Sequence, residues 1–189
     1  WNVELGLAVH VKAPNGKYIV IDLGASNDVS PVKELYKNGA CVHYMVLTHP
    51  HKDHFDDILN VHLIKPMVLS RVYDFSEAEI MRGAGNEKEK FQAYCSFVNE
   101  YTDNIDENHE NSPQNGRSLG GLIATTFQAF HCDKTNINNF SKVVVLELGK
   151  AKIVVCGDPE KEALSELLNN EIFRNKIRDS WVLVAPHHG

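Results

Sequence analysis

Apolar and polar positions alternate from the start of the chain. Val3, Leu5, Leu7, Val9 and Val11 interleave with Glu4, Gly6, Ala8, His10 and Lys12, the period of two of a strand with one buried face. Pro14-Asn15-Gly16-Lys17 carries turn chemistry, and Tyr18 to Leu23 is the expected return strand of a hairpin. Ser30 caps a helix with Pro31 at its first position, Val32, Leu35 and Tyr36 as its stripe and Gly39 as its stop. Val42 to Leu47 is an apolar run that predicts a buried strand, and Phe55 to Leu59 predicts the start of a helix. A short strand is expected at Met67 to Leu69, and Ser76-x-x-Glu79 is a capping-box signal. Glu87 to Tyr101 reads as a longer helix. Its stripe of Phe91, Tyr94, Phe97, Val98 and Tyr101 is core packing rather than a base-stacking platform.

Periodicity fades from Thr102 to Ser118, a polar, acidic stretch whose composition does not favour burial. It reads as an insertion within one domain spanning 1–189. Strand character resumes from Leu122 to Phe130 and stops at His131. Lys142 to Leu148 and Ala151 to Cys156 form a second expected hairpin, turning at Gly149-Lys150. Pro159 can open a helix with Ala163, Leu164, Leu167 and Leu168 as its buried stripe. Trp181 to Ala185 is the last expected strand. Strands and helices in this alternation predict an α/β (α+β) chain.

Composition narrows the function. The 189 residues suffice for one sizeable core, and 43% hydrophobic with 23% charged residues is ordinary globular usage. A net charge of −6 removes any global attraction to nucleic acid, although a local patch or bound metals can still hold phosphate. No apolar run reaches the roughly 18–20 residues of a membrane span. Cys41, Cys95, Cys132 and Cys156 lack zinc-type pairing and read as free thiols of a reducing compartment, which points to the cytoplasm. The sequence opens on Trp1 rather than Met, so an upstream segment is expected.

The chemistry gathers in Thr48-His49-Pro50-His51-Lys52-Asp53-His54. Imidazole and carboxylate are the side chains that hold zinc and its first-row neighbours. The spacing fits two ions better than one. His49 and His51 point the same way in an extended loop, whereas Asp53 and His54 follow a turn and reach a second position. Other ligand-type groups also end apolar strands: His131, Asp158 and the pair His187-His188. Ligand sites in layered α/β folds lie beyond the carboxyl ends of strands, so this repetition points to one shared site. Asp22, ending the first hairpin, either orients a ligand His from behind or caps the next turn. His10, His43 and His62 read as structural.

His49-x-His51-x-Asp53-His54 resembles the signature of the metallo-β-lactamase superfamily. The resemblance implies a four-layer αββα sandwich with a dinuclear site on one edge, and it places Asp22 beneath that site. It implies His49, His51 and His131 as ligands of one ion, Asp53, His54 and His188 as ligands of the other, and Asp158 as the carboxylate between them. His187 is then left to hold a phosphoryl oxygen or donate a proton, although His187 and His188 compete for one ligand place. The implied cofactor is two divalent ions, zinc first and manganese second. The implied chemistry is hydrolysis by a hydroxide shared between the ions, with Asp53, Asp158 and His187 as the catalytic set. The ending Pro186-His187-His188-Gly189, with Asn138-Asn139-x-Ser141 and Cys156-Gly157-Asp158, resembles the hydrolase domain of competence-type DNA-uptake proteins. A phosphodiesterase acting on a small-molecule or nucleic-acid phosphoester is the first expectation. The alternatives are a lactonase or thioesterase on the same scaffold, and a metal- or partner-binding domain without turnover. Members of that family usually continue with another element where this sequence has Gly189, so either a tail is missing here or this protein is short.

Overall fold

The computed structural model describes residues 1–102 and 105–186. Eight strands form two four-stranded sheets among these residues. In the first sheet β1 (Val9–Lys12) pairs antiparallel with β2 (Tyr18–Ile21), and β3 (Val42–Val46) and β4 (Val68–Ser70) follow in parallel. In the second, β5 (Ile123–Phe127), β6 (Val143–Leu148) and β7 (Ala151–Cys156) run antiparallel, and β8 (Val182–Val184) joins parallel to β7. The helices are α1 (Pro31–Lys37), α2 (Glu77–Met81), α3 (Lys88–Asn99), α4 (Lys161–Asn169) and α5 (Glu171–Ile177).

Side-chain alternation along the strands explains the layers. Ile19, Ile21, Tyr44 and Val46 of the first sheet meet Ala124, Val144, Leu146 and Val155 of the second in one buried cluster. The intervening positions, Val20 and Met45 on one sheet and Val143, Val145 and Val154 on the other, face away from that layer. They join a cluster containing Val32 and Leu35 of α1, Phe91, Tyr94 and Val98 of α3, Ala163 and Leu167 of α4 and Phe173 of α5. The result is the αββα sandwich, with each predicted hairpin in its own sheet.

Local signals operate as expected in several places. The Ser30 hydroxyl accepts from Lys33 N and Pro31 opens α1, while Ser76 and Glu79 form the full capping box of α2. Gly39 takes φ +63°, the left-handed conformation that ends the helical segment.

Other expectations change. The strand predicted from Val3 begins only at Val9. The segment before it curls over the loop after β3, where a Cβ at Gly6 would stand 2.5 Å from the Asp53 carbonyl oxygen. The helix predicted from Phe55 is instead a pair of 3₁₀ turns, Lys52–His54 and Ile58–Ile64. Here Leu23 N donates to His54 O and Asp57 N donates to Leu23 O, both at 2.8 Å, so the end of β2 takes backbone groups that a continuous α-helix would use, and the rest close only short turns such as Ile58 N to Phe55 O at 2.9 Å. Leu168 remains 47% exposed rather than buried. In the acidic stretch, Ser112 and Ser118 are buried, and the Ser118 hydroxyl donates to Ser112 O at 2.9 Å. His43, inside β3, is buried with Nε2 3.0 Å from Asn111 O.

Phe55 fastens the His-rich loop to the helical layer. It is fully buried, with its ring 5.0 Å from Phe91 and 4.7 Å from Tyr94, both on α3. Phe55→Ala is expected to lower unfolding stability by about 3–5 kcal/mol, the usual cost of deleting a core aromatic, as read by urea denaturation.

Candidate metal centre

The loop after β3 and the turn after β7 arrive at the same point. Lys142 N donates to Thr48 O at 3.0 Å, which ties the second sheet to the loop of the first, and Asp158 N donates to the Ser141 hydroxyl at 3.1 Å, which holds the turn after β7 against the start of β6. Gly157 allows the approach: a Cβ there would lie 2.7 Å from both Cβ and Oγ1 of Thr48.

This contact brings ligand atoms of His49, His54 and Asp158 within 4.8 Å of one another, all three residues being buried. His49 Nε2 lies 3.1 Å from His51 Nδ1. His54 Nε2 lies 3.3 Å from Asp158 Oδ1 and 3.6 Å from Asp53 Oδ2. Five of the predicted site residues, His49, His51, Asp53, His54 and Asp158, therefore converge.

Asp22 organises them from behind. It is fully buried and holds φ +58°, an uncommon conformation for a residue with a side chain. Its Oδ1 accepts from Thr48 N at 2.7 Å, and its Oδ2 accepts from Thr48 Oγ1 at 2.6 Å and His54 Nδ1 at 2.7 Å. These bonds assign the tautomers. His54 carries its proton on Nδ1 and turns Nε2 toward Asp158. Thr48 gives its hydroxyl proton to Asp22, so its oxygen can accept from His49 Nδ1 at 3.2 Å. His49 thus turns Nε2 inward as well.

The electrostatics follow from burial and this pairing. Burial alone would lower the His54 pKa, but the Asp22 charge and the bonds to Asp158 and Asp22 outweigh it and raise the ring to about 10. Burial raises the Asp22 carboxyl against the opposing pull of His54 and Thr48. Burial also lowers His51, against the opposing pull of Asp53.

Imidazoles and carboxylates converging at these separations, with Asp22 behind His54, Thr48 behind His49 and Ser141 behind the Asp158 turn, are a donor set that fits a divalent ion, which would take the place of the extra proton on His54. His131 is not brought into this group: its side chain is 87% exposed, and Nδ1 lies 3.1 Å from Glu166 Oε1 on α4. His187 and His188 lie outside the described residues.

The sequence reading assigned no role to Thr48, or to Asn138, Asn139 and Ser141 beyond their family likeness. Asn139 Oδ1 accepts from Glu160 N at 3.2 Å, and Asn139 Nδ2 donates to Glu162 Oε2 at 3.1 Å. Together with Ser141 these bonds clasp the turn that carries Asp158. The available signal was a run of carboxamides ahead of an apolar strand, with no glycine to make it an ordinary turn.

A cavity of about 280 Å³ opens beside Asp158, lined by Glu4, Gly6, Leu7, Cys156, Val184 and Ala185. No lysine or arginine is among the described residues lining it.

No protein-family model and no curated protein matches the sequence. Among solved structures, the chain is similar to zinc-bound PqqB from Methylobacterium extorquens, with 13% identity, a TM-score of 0.49 and coverage of 93% of this chain and 58% of that one. It is also similar to a Thermotoga maritima protein provisionally described as a metallo-β-lactamase, with 13% identity, a TM-score of 0.47 and coverage of 97% and 94%. A variant of the CmlA β-hydroxylase gives 15% identity, a TM-score of 0.43 and coverage of 82% and 29%. The chain thus spans just over half of PqqB. At these scores the description of the fold rests on the chain's own layers, and that of the site on its own side chains.

Asp22→Asn tests the bracing directly. An amide keeps the size but cannot accept from every present donor as a carboxylate does. Affinity for zinc or manganese, measured by competition with a chromophoric chelator, is expected to fall about 10–100-fold.

Proposed function

We propose that this chain is a metal-dependent hydrolase of the metallo-β-lactamase type that cleaves phosphodiesters. The observation that carries the reading is the buried convergence of His49, His54 and Asp158 beneath an Asp22 carboxylate that fixes the His54 tautomer. In this reading His49 and His51 would hold one divalent ion, Asp53 and His54 would hold a second, and Asp158 would serve as a ligand beside them. Bound there, two ions supply Lewis acidity and lower the pKa of a coordinated water to about 7.

The chain's own residues supply the rest. Asp22 keeps His54 pointed inward, and Thr48 does the same for His49. Ser141 and Asn139 hold the Asp158 turn. Leu7, Val184 and Cys156 wall the cavity beside Asp158. His187 is assigned to the phosphoryl oxygen or the leaving group and His188 to the second ion, on their place in the sequence. The likeness of Asn138-Asn139-x-Ser141 and Cys156-Gly157-Asp158 to competence-type hydrolase domains supports the phosphodiester.

A second reading has its own support. With no lysine or arginine among the described residues of the cavity, positive charge for a phosphoryl group would come from the ions alone. The partly apolar wall also suits a neutral lactone or thioester.

Metal-reconstituted protein assayed on bis-p-nitrophenyl phosphate, a lactone and a thioester, each with a chelator control, separates these outcomes. Chelator-sensitive phosphodiester turnover is expected. His187→Ala should keep both ions and lose about 10²–10⁴ in rate, as loss of a proton donor does, whereas Asp158→Ala should lose metal and activity together. Turnover of the lactone or thioester alone would establish the second reading. Loaded protein that turns over none of the three would leave a binding domain.

A further inference from the structure

The cavity beside Asp158 has no cation in its wall, but a second cavity does. It measures about 170 Å³ and is lined by Tyr44, Ser70, Tyr73, Gln114, Thr126 and Lys142, among others. That is well beyond the roughly 10–15 Å³ that a single water needs. Tyr44 and Ser70 belong to β3 and β4 of the first sheet, while Thr126 lies on β5 and Lys142 directly precedes β6 of the second. Two backbone bonds fix its place. Leu47 N donates to Ser70 O at 2.9 Å, and Lys142 N donates to Thr48 O at 3.0 Å. These two wall residues thus bond the two residues that precede His49, so the cavity and the His-rich loop share one strand end.

Lys142 is mostly buried. Its Nζ donates to Gln128 Oε1 at 3.3 Å. Gln128 Nε2 in turn donates to Asp74 Oδ2 at 2.6 Å, which orients the amide with its oxygen toward the lysine. Asp74 therefore acts on the amine only across Gln128, and Lys142 forms no ion pair among the described residues. Buried charges are ordinarily paired. Burial pushes the amine down to about 8, against the opposing pull of Asp74. An ammonium has three protons to donate, and the neutral Gln128 oxygen takes one. The hydroxyls and the Gln114 amide of the wall can donate as well. Tyr73 is held from its own side, with the Arg71 guanidinium 4.2 Å from the centre of its ring. A cation short of an anion, set among neutral donors around an open space, has the chemistry of an oxyanion site.

We propose that this cavity is an oxyanion subsite in which Lys142 holds a phosphate group of the substrate other than the one cleaved. The substrate class is then a phosphodiester that carries a further phosphate, such as a 5′-phosphorylated dinucleotide, rather than an isolated diester. The inference rests on the phosphodiesterase reading above for its substrate, but not for its anion.

Isothermal titration of inorganic phosphate, with acetate in parallel, tests the subsite on metal-loaded protein and again after chelator treatment. The proteins are wild type, Lys142→Met and Lys134→Met, the last replacing an exposed lysine that bonds Asp74 O at 3.0 Å and lines no part of the cavity. Circular dichroism and melting temperature establish the folding of each. Chelator-treated wild type is expected to bind phosphate, and Lys142→Met to weaken it about 10–100-fold, the usual worth of a charge-assisted hydrogen bond. Lys134→Met should stay within about twofold, because salt screens an exposed charge. In turnover, loaded wild type should favour 5′-phosphorylated dithymidylate over its unphosphorylated form through KM, and Lys142→Met should lose that preference. If Lys142→Met does not fold, Thr126→Val, which removes one wall hydroxyl, makes the same comparison with a loss of about 2–10-fold. Absence of phosphate binding to chelator-treated wild type would overturn the proposal. Equal losses in Lys142→Met and Lys134→Met, or acetate bound without phosphate, would overturn it too. Phosphate bound through Lys142 while loaded protein cleaves no phosphodiester would sustain the oxyanion site and remove the phosphodiesterase reading, which keeps the two failures apart.

Discussion

The centre depends on one buried carboxylate. Asp22 follows directly on β2 and enters the left-handed region, and its side chain reaches Thr48 beyond the tip of β3. Its bonds to Thr48 and His54 span the whole His-rich loop. They set the direction of His54 at once and that of His49 through the Thr48 hydroxyl. Without that anion, the loop would contain the same ligand types with nothing to orient their lone pairs. Burying a charge is costly unless it is paired and hydrogen-bonded, and here every partner belongs to the site. The interaction that offsets the cost of burial is therefore also the one that shapes the chemistry.

Backbone proximity is the second constraint. Gly24 lies where a Cβ would stand 2.7 Å from Leu7 O and 2.9 Å from Asp53 O. Gly157 leaves the same absence of room against Thr48. Both glycines lie where strand ends crowd around the loop, so the close approach of main chains, rather than turn geometry, accounts for them.

Much of this was legible in the sequence because it is encoded locally. The hairpins, the Ser30-Pro31 start, the capping box and the ligand spacing of His49 to His54 each depend on residues a few places apart. The misses depend on partners far along the chain. Val3 to Val11 alternates as a strand does, yet its first half is drawn over the Asp53 loop. Phe55 onward has helical character, yet Leu23 takes the His54 carbonyl and the Asp57 amide, and only 3₁₀ turns remain. His131 ends a strand as the other ligands do, yet Glu166, on a helix 35 residues later, holds it. The segment that becomes α5 was not predicted as a separate helix. Its cap, Asn170, bonds Ile172 N and Phe173 N directly after α4 ends.

The donors arise from both halves of the sandwich. The histidines and Asp53 follow β3 of the first sheet, and Asp158 follows β7 of the second. An ion gripping both acts as a reversible cross-link between two layers that otherwise meet through side-chain packing and a few loop hydrogen bonds. Its binding energy is then shared with the resistance of the sandwich to shear. Filling the centre would then slow amide exchange in Val144 to Leu146 and Tyr44 to Val46, strands of the two inner faces that pack on each other away from the donors.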